Sequence, residues 1–316
     1  MTSNATTDLL QRLEQLAPFI GNTPLFPLTQ VWQHPRVKLF AKLEWQQLGG
    51  SVKARPAFNM ITEAVKRGAL RKGVALLDST SGNTGIAYAA ICARLGLEVV
   101  VVMPEDVSEE RKTILRGYGT KLIYTPAEMS GDEVQAFTRN MYEQTPEQYF
   151  YVNQYDNEDN WTAHYHHTAE EILTQTEGVL THFTCGLGTT GTFMGTTRKL
   201  QERISGLSAI AQIPDDADNE IEGWKHLPTS THPGIFDKTL PDSWMEVSTE
   251  ESFDWMRRLA LKEGLLVSPS SAAAMAGAVK VAQEVGEGTV VTIFPDDASK
   301  YGAIVNRIFG SPTSAL

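Results

Sequence analysis

Cysteine is nearly absent from this 316-residue sequence: Cys92 and Cys185 are the two present, they stand far apart, and neither belongs to a CxxC pair. That argues against a disulfide framework or a thiolate zinc site and fits a reducing compartment. No apolar run reaches the ~18 residues that a membrane span needs. The opening MTSNATTDLLQRLEQL has no apolar signal core either, so no membrane partner is expected and the chain is read as cytoplasmic. Basic residues are the minority, 27 Lys and Arg against 38 Asp and Glu, and they are scattered. The net charge of −11 repels phosphate backbones and anionic lipid, so nucleic acid is not an expected partner. His164, His166 and His167 lie in a helix-like stretch without the i, i+4 spacing of a helical metal pair, and no metal site is expected. Internal repeats and long low-complexity linkers are missing as well.

What is present is a regular alternation. Strand-like runs recur at Val37–Leu43, Val74–Leu77, Val99–Met103, Lys121–Tyr124, Phe150–Val152, Thr181–Cys185, Leu207–Ile213 and Val290–Phe294. Between most of them lie helix-length segments with apolar residues three and four apart, such as Ala57, Met60, Ile61 and Ala64. This alternation predicts an α/β fold of parallel or mostly parallel twisted sheets flanked by helices, in a chain long enough to bury a large core. Ligands of such sheets bind beyond the carboxyl ends of the strands. Asp215 to Asp242, rich in Pro, Asp, Thr and His, reads as a long loop, either a cover for a site entrance or a solvated connection.

Three turns carry residues suited to chemistry. Lys53 stands in LGGSVKARPAF (Leu48–Phe58), at the start of a helix-like segment. A partly desolvated ammonium there loses its proton more readily and becomes an amine nucleophile, although a lone lysine in a first helical turn is ordinarily a solvated one. Gly49 and Gly50 let backbone approach a ligand. TSGNTG (Thr80–Gly85) offers hydroxyls, an amide and helix N-terminal N–H groups to a carboxylate or phosphate; Ser81, Asn83 and Thr84 serve equally well as caps and turn residues. GLGTTGT (Gly186–Thr192) would cradle a phosphate at the positive end of a helix. It also reads as GxGxxG, with Asp215 and Asp216 as an available acid, so an NAD-dependent oxidoreductase is a rival reading. That fingerprint normally opens its unit, whereas several βα pairs precede this one, and a dehydrogenase leaves Lys53 and TSGNTG without a role. One phosphorylated cofactor needing a lysine, a carboxylate loop and a phosphate loop accounts for all three.

Taken in order, LEWQQLGGSVKAR, TSGNTG, CGLGTTGT and SPSS, with IGNTPL at Ile20–Leu25, IEG at Ile221–Gly223 and FPDDASKY at Phe294–Tyr301, resemble the cysteine synthase (O-acetylserine sulfhydrylase) family of fold type II pyridoxal phosphate enzymes. The resemblance implies a two-lobed, tryptophan synthase β-like fold: residues 1–41 and 146–316 as a larger cofactor-binding domain, 42–145 as a smaller mobile one. It implies pyridoxal 5'-phosphate and a β-replacement. O-acetylserine or O-phosphoserine would react through an α-aminoacrylate with sulfide or thiosulfate to give cysteine or S-sulfocysteine. Lys53 matches the lysine that forms the Schiff base and later moves the Cα proton. Asn83 matches the asparagine at the cofactor's phenolic oxygen, and Gly188, Thr189, Thr190, Gly191 and Thr192 match the phosphate loop. Ser270 matches the hydroxyl facing the pyridine nitrogen, with Ser271 as its neighbouring substitute. Thr80, Ser81, Thr84 and Gln154 fall where the substrate carboxylate is held, and Gly223 near the rim of the cofactor site. A neutral serine does not enforce protonation of the pyridine nitrogen, which suits loss of a β-leaving group over a long-lived carbanion.

The sequence departs from the family at Gln47-Leu48, where asparagine-proline is usual, at Ala54 in place of aspartate, and at Ala272 in place of glycine. Loss of the proline relaxes the turn by roughly 0.4–1 kcal/mol of unfolded-state entropy. Ala272 is expected to add a Cβ close to the ring site. Thr190, where many cysteine synthases carry glycine, resembles the B-type branch that accepts bulkier sulfur donors. A homodimer is implied too. So are two alternatives: a cystathionine β-synthase-like elimination and replacement, and a non-catalytic role in binding the C-terminal tail of serine acetyltransferase.

Overall fold

The computed structural model describes residues 2–310, with side chains from residue 5 onward. The strands are β1 (Leu25–Pro27), β2 (Val37–Leu43), β3 (Ala75–Ser79), β4 (Val99–Pro104), β5 (Lys121–Thr125), β6 (Tyr149–Tyr151), β7 (His182–Gly186), β8 (Ser208–Pro214), β9 (Ser243–Val247) and β10 (Gly288–Phe294). The helices are α1 (Thr2–Leu16), α2 (Ala54–Lys66), α3 (Asn83–Leu95), α4 (Glu109–Gly117), α5 (Gly131–Gln144), α6 (Glu158–Ala163), α7 (Ala169–Gln175), α8 (Gly191–Arg203), α9 (Thr249–Glu263), α10 (Pro269–Glu284) and α11 (Gly302–Phe309). A π turn, His164–Thr168, joins α6 to α7. The chain divides into two compact units, one formed by residues up to Asn22 with Gln47–Ala163 and Pro233–Ile235, the other by Thr23–Gln46, His164–His232 and the described residues from Phe236 onward.

The first unit is built on a parallel sheet in the order β5-β4-β3-β6. A parallel sheet is covered on both faces, so its inner strands read as unbroken apolar runs, and Val99 to Met103 are all buried. Successive side chains still point to opposite faces. Leu76, Val99, Val101 and Met103 pack with Met60 and Ile61 of α2 and Ile86, Ile91 and Leu95 of α3, whereas Ala75, Leu77, Val100 and Val102 pack with Val134 of α5. α1 enters the former cluster through Leu9, Leu13 and Leu16. Residues 2–22 and 146–163 therefore count with 47–145, whereas the sequence expectation attached them to the larger domain.

The second unit holds a sheet in the order β1-β2-β10-β7-β8-β9, parallel throughout except for β1 against β2. Pro27 sits in the edge strand β1, where a missing N–H disturbs the ladder least. α10, capped by Ser268 and opened by Pro269, lays Ala274, Met275 and Ala278 into a core shared with Val37 and Leu39 of β2 and Val290 and Phe294 of β10. Ala272 belongs to that core and is fully buried. Its methyl fills packing space there. On β2, Lys42 is fully buried, and its Nζ meets Glu171 Oε2 at 2.7 Å, the Thr23 carbonyl at 2.8 Å and Gln175 Oε1 at 3.0 Å. No helix among the described residues is long and apolar enough to cross a membrane.

Candidate active site

In the first unit, Lys53 is half-buried and stands immediately before α2. The turn leading to it uses Gly49 at φ +82° and Gly50 at φ +61°, left-handed conformations that a side chain would strain. A Cβ on Gly49 would touch Ala87 Cα of α3 at 3.5 Å, so this turn lies on the helix that follows TSGNTG. The family departures are absorbed locally. Gln47 Oε1 accepts the Gly21 N–H at 2.9 Å, the Leu48 N–H donates to the Phe19 carbonyl at 2.9 Å, and Leu48 packs on the first core. Ala54 and Arg55 are buried in the first turn of α2.

TSGNTG runs from the end of β3 into the N-terminus of α3. Gly82 N–H donates to Thr80 Oγ1 at 3.3 Å, Arg111 reaches the Ser81 carbonyl, and Asn83 is the first residue of the helix. Thr84 Oγ1 donates to Gln154 Oε1 at 2.9 Å, and Gln154 Nε2 donates to the Ser79 carbonyl at 3.3 Å. Thr84 and Gln154, two of the four residues assigned to one carboxylate from sequence, thus meet at one hydrogen-bonded corner, with Thr80 and Ser81 in the same turn as Thr84, and Gln154 is a buried brace between the turn and the segment after β6. Asp78, which sequence reading passed over, lies beneath it. Its carboxylate accepts from Ser79 N–H and Tyr88 O–H, both at 2.9 Å, and from Gln154 N–H. Desolvation pushes the Asp78 carboxyl up to about 7 despite these three donors, and burial and Asp78 together hold the Tyr88 phenol well above its ordinary range.

In the second unit, GLGTTGT joins β7 to α8, whose first N–H groups have no partners within the helix. A Cβ on Gly188 would collide with the Gly223 carbonyl oxygen, so the two glycines let loop and rim meet backbone to backbone. Thr190 takes the left-handed conformation, φ +70°, as the residue capping α8. Its buried Oγ1 makes no hydrogen bond within the protein. A strained threonine with an orphaned hydroxyl, at the positive end of a 13-residue helix, fits a phosphate. Thr192 Oγ1 lies 3.3 Å from Nε2 of the buried His164, whose Nδ1 is 2.9 Å from Thr168 Oγ1. His164 braces the loop, a role hidden in sequence because the π turn sets its direction. Ser270 Oγ is 3.1 Å from Ser268 Oγ, while Ser271 Oγ donates to the Asp296 carbonyl at 2.7 Å. Of the two serines, Ser271 is committed to holding the segment after β10, and Ser270 keeps the freer hydroxyl. Among the described residues no group of three or more His, Cys, Asp or Glu is placed to hold a metal ion.

The family model of pyridoxal-phosphate dependent enzymes matches residues 16–296. The chain is 42% identical over 295 residues to a cysteine synthase of Aquifex aeolicus, covering 91% of this chain and 90% of that protein. It is 36% identical over 298 residues to cysteine synthase B of Escherichia coli, covering 94% and 97%. The crystal structure of a cysteine synthase from Entamoeba histolytica superposes with a TM-score of 0.88 at 31% identity, covering 96% of this chain and 92% of that one. The chain belongs to the pyridoxal-phosphate-dependent enzymes of fold type II, in their cysteine synthase family. Membership in this family removes the ground for reading the GxGxxG match as a dinucleotide fingerprint.

Proposed function

We propose that this protein is a cysteine synthase-like β-replacement enzyme, joining a sulfur nucleophile to Cβ of an activated serine. The observation that carries the reading is the family match across residues 16–296, with Lys53 half-buried at the start of α2. In this reading Lys53 Nζ holds the cofactor, Asn83 its phenolic oxygen, and residues 188–192 its phosphate, while Ser270 Oγ meets the pyridine nitrogen. When bound, pyridoxal phosphate supplies a sink for the electrons released at the substrate's Cα. Thr80, Ser81, Thr84 and Gln154 hold the substrate carboxylate and so orient the Cα–H bond, with Gly223 at the rim. Lys53 Nζ takes the Cα proton as the β-substituent departs and returns it after sulfur has bonded to Cβ. The mobile segment of this reading, 42–145, lies within the first compact unit apart from 42–46.

Thr190 and the likeness to cysteine synthase B support thiosulfate beside sulfide as sulfur donor, and similar solved structures described as an O-acetylserine-dependent enzyme and an O-acetylserine sulfhydrylase support O-acetylserine over O-phosphoserine. Family likeness also supports a cytoplasmic homodimer that takes the C-terminal tail of serine acetyltransferase as a ligand. The test is a steady-state screen of O-acetylserine and O-phosphoserine against sulfide and thiosulfate. Cysteine from O-acetylserine with sulfide and S-sulfocysteine with thiosulfate are expected; cofactor-loaded protein that forms neither product from any pair would refute the reading. Lys53→Ala should lower turnover at least ~100-fold, the scale of a lost general base.

A further inference from the structure

Asp78 is a buried ionisable group to which the mechanism gives no task. Asp78 is the fourth residue of β3, 1% exposed, and makes no ion pair among the described residues. Its three hydrogen bonds reach three separate segments: Ser79 N–H at the entry to the turn, Gln154 N–H beyond β6, and Tyr88 O–H on α3. Gln154 in turn braces Ser79 and Thr84, and Asn160 Nδ2 fixes the Gln154 carbonyl at 2.7 Å. Asp78 is thus the hub of the corner to which we assign the substrate carboxylate. Its charge has the same sign as the ligand expected next to it.

We propose that Asp78 is a proton-coupled positioning residue: it sets the geometry of the 80–84 turn and Gln154, and it takes a proton from solvent when the α-carboxylate of the amino-acid substrate settles there. The inference rests on the assignment of that corner to the substrate carboxylate. A second carboxylate nearby disfavours the anionic form of Asp78, and by linkage the protonated form favours the ligand. The scaffold tolerates the change because a tyrosine hydroxyl both donates and accepts. A proton on Asp78 is handed to Tyr88 Oη as that phenol turns round, and the two backbone N–H groups keep an oxygen to bond. Burial brings the group into the right range by pushing its carboxyl up to about 7. The titratable groups that face it are Tyr88 on α3, Tyr151 on β6 and Tyr155 in the following turn. Burial raises the pKa of each of these phenols, so they stay protonated where Asp78 titrates. Cys92 lies behind Tyr88, while Arg139 and Asp156 act on Tyr151 and Asp132 on Tyr155.

The experiment is a titration of holoenzyme with L-alanine, which carries the carboxylate and amine but no β-leaving group, read from the cofactor's visible absorbance between about pH 6 and pH 9. Ionisation of the ligand's amine affects every variant alike, so the readout is wild type relative to Asp78→Asn. A one-unit rise of the Asp78 pKa on binding weakens wild-type affinity by about tenfold across that range relative to Asp78→Asn. Parallel profiles would overturn the proposal. Tyr88→Phe, which removes a donor to the anion, should move the wild-type inflection to higher pH, and an unmoved inflection counts against the proposal even where Asp78→Asn does not fold. Thr84→Val separates the two levels. Unchanged affinity in that variant would refute the carboxylate site itself, whereas weakened affinity with parallel wild-type and Asp78→Asn profiles would refute the role of Asp78 alone.

Discussion

Gly188 shows how tightly a single residue is held in the loop between β7 and α8. Alanine there drives a Cβ into the Gly223 carbonyl, and since both partners are backbone, neither yields as a flexible side chain would. Overpacking of this kind costs about 1–3 kcal/mol, so Gly188→Ala should weaken cofactor binding roughly 10- to 100-fold while far-ultraviolet circular dichroism is retained. Equilibrium dialysis of pyridoxal phosphate against the variant checks this; wild-type affinity would mean that loop and rim are not packed as described. Cys92 illustrates the opposite case. Fully buried, its thiol is pushed up to about 12 by desolvation, so native protein should resist thiol reagents at Cys92 near neutral pH and react there only when unfolded. The turns that carry Lys53, TSGNTG and GLGTTGT, each between a strand and a helix, were legible because turn residues of unusual type cluster after apolar runs. Asp78 and His164 were not. An aspartate inside ALLDS carries no periodic signal, and which way His164 faces depends on a π turn that sequence spacing does not reveal.

Among the elements, strands of the inner sheets were legible because two covered faces demand unbroken apolar runs, as in Val99 to Met103. β1 and β9 escaped because edge strands do not. β1 is three residues ending in proline, and β9 exposes Ser243 and Trp244, so neither alternates. β2 contains a lysine, yet Lys42 is completely buried and ties the strand to Glu171 and Gln175 of α7. Removing one partner of a buried pair costs about 3–5 kcal/mol, because the other charge is left in a poor environment. Lys42→Met should lower the denaturant midpoint of unfolding accordingly, and Glu171→Leu added to it should restore part of the loss. Full additivity of the two losses would show that the pair does not act as a unit.

Over the whole molecule, an acidic chain of net charge −11 carries two sets of carboxylates that respond to pH in opposite directions. Glu109, bonded to Lys112, and Glu133, bonded to the Ser130 N–H, have lowered pKa values, so whatever they contribute is present above the ordinary carboxylate range and lost on acidification. Asp78 works the other way. Its folded-state pKa lies near 7, above the unfolded value, so the native state binds the proton more tightly. The stability tied to it is complete below about pH 4 and is lost as pH rises through 7. A shift of about three units corresponds to a few kcal/mol, on the order of 4. Rising pH also increases self-repulsion of the acidic chain, but that acts on wild type and Asp78→Asn nearly equally, so the difference between them isolates the buried group. Denaturant midpoints measured from about pH 5 to pH 8 should therefore fall for wild type relative to Asp78→Asn, with the curvature centred near 7. A difference that stays constant over that range would mean that Asp78 is charged throughout in the folded protein and that its three donors outweigh its burial.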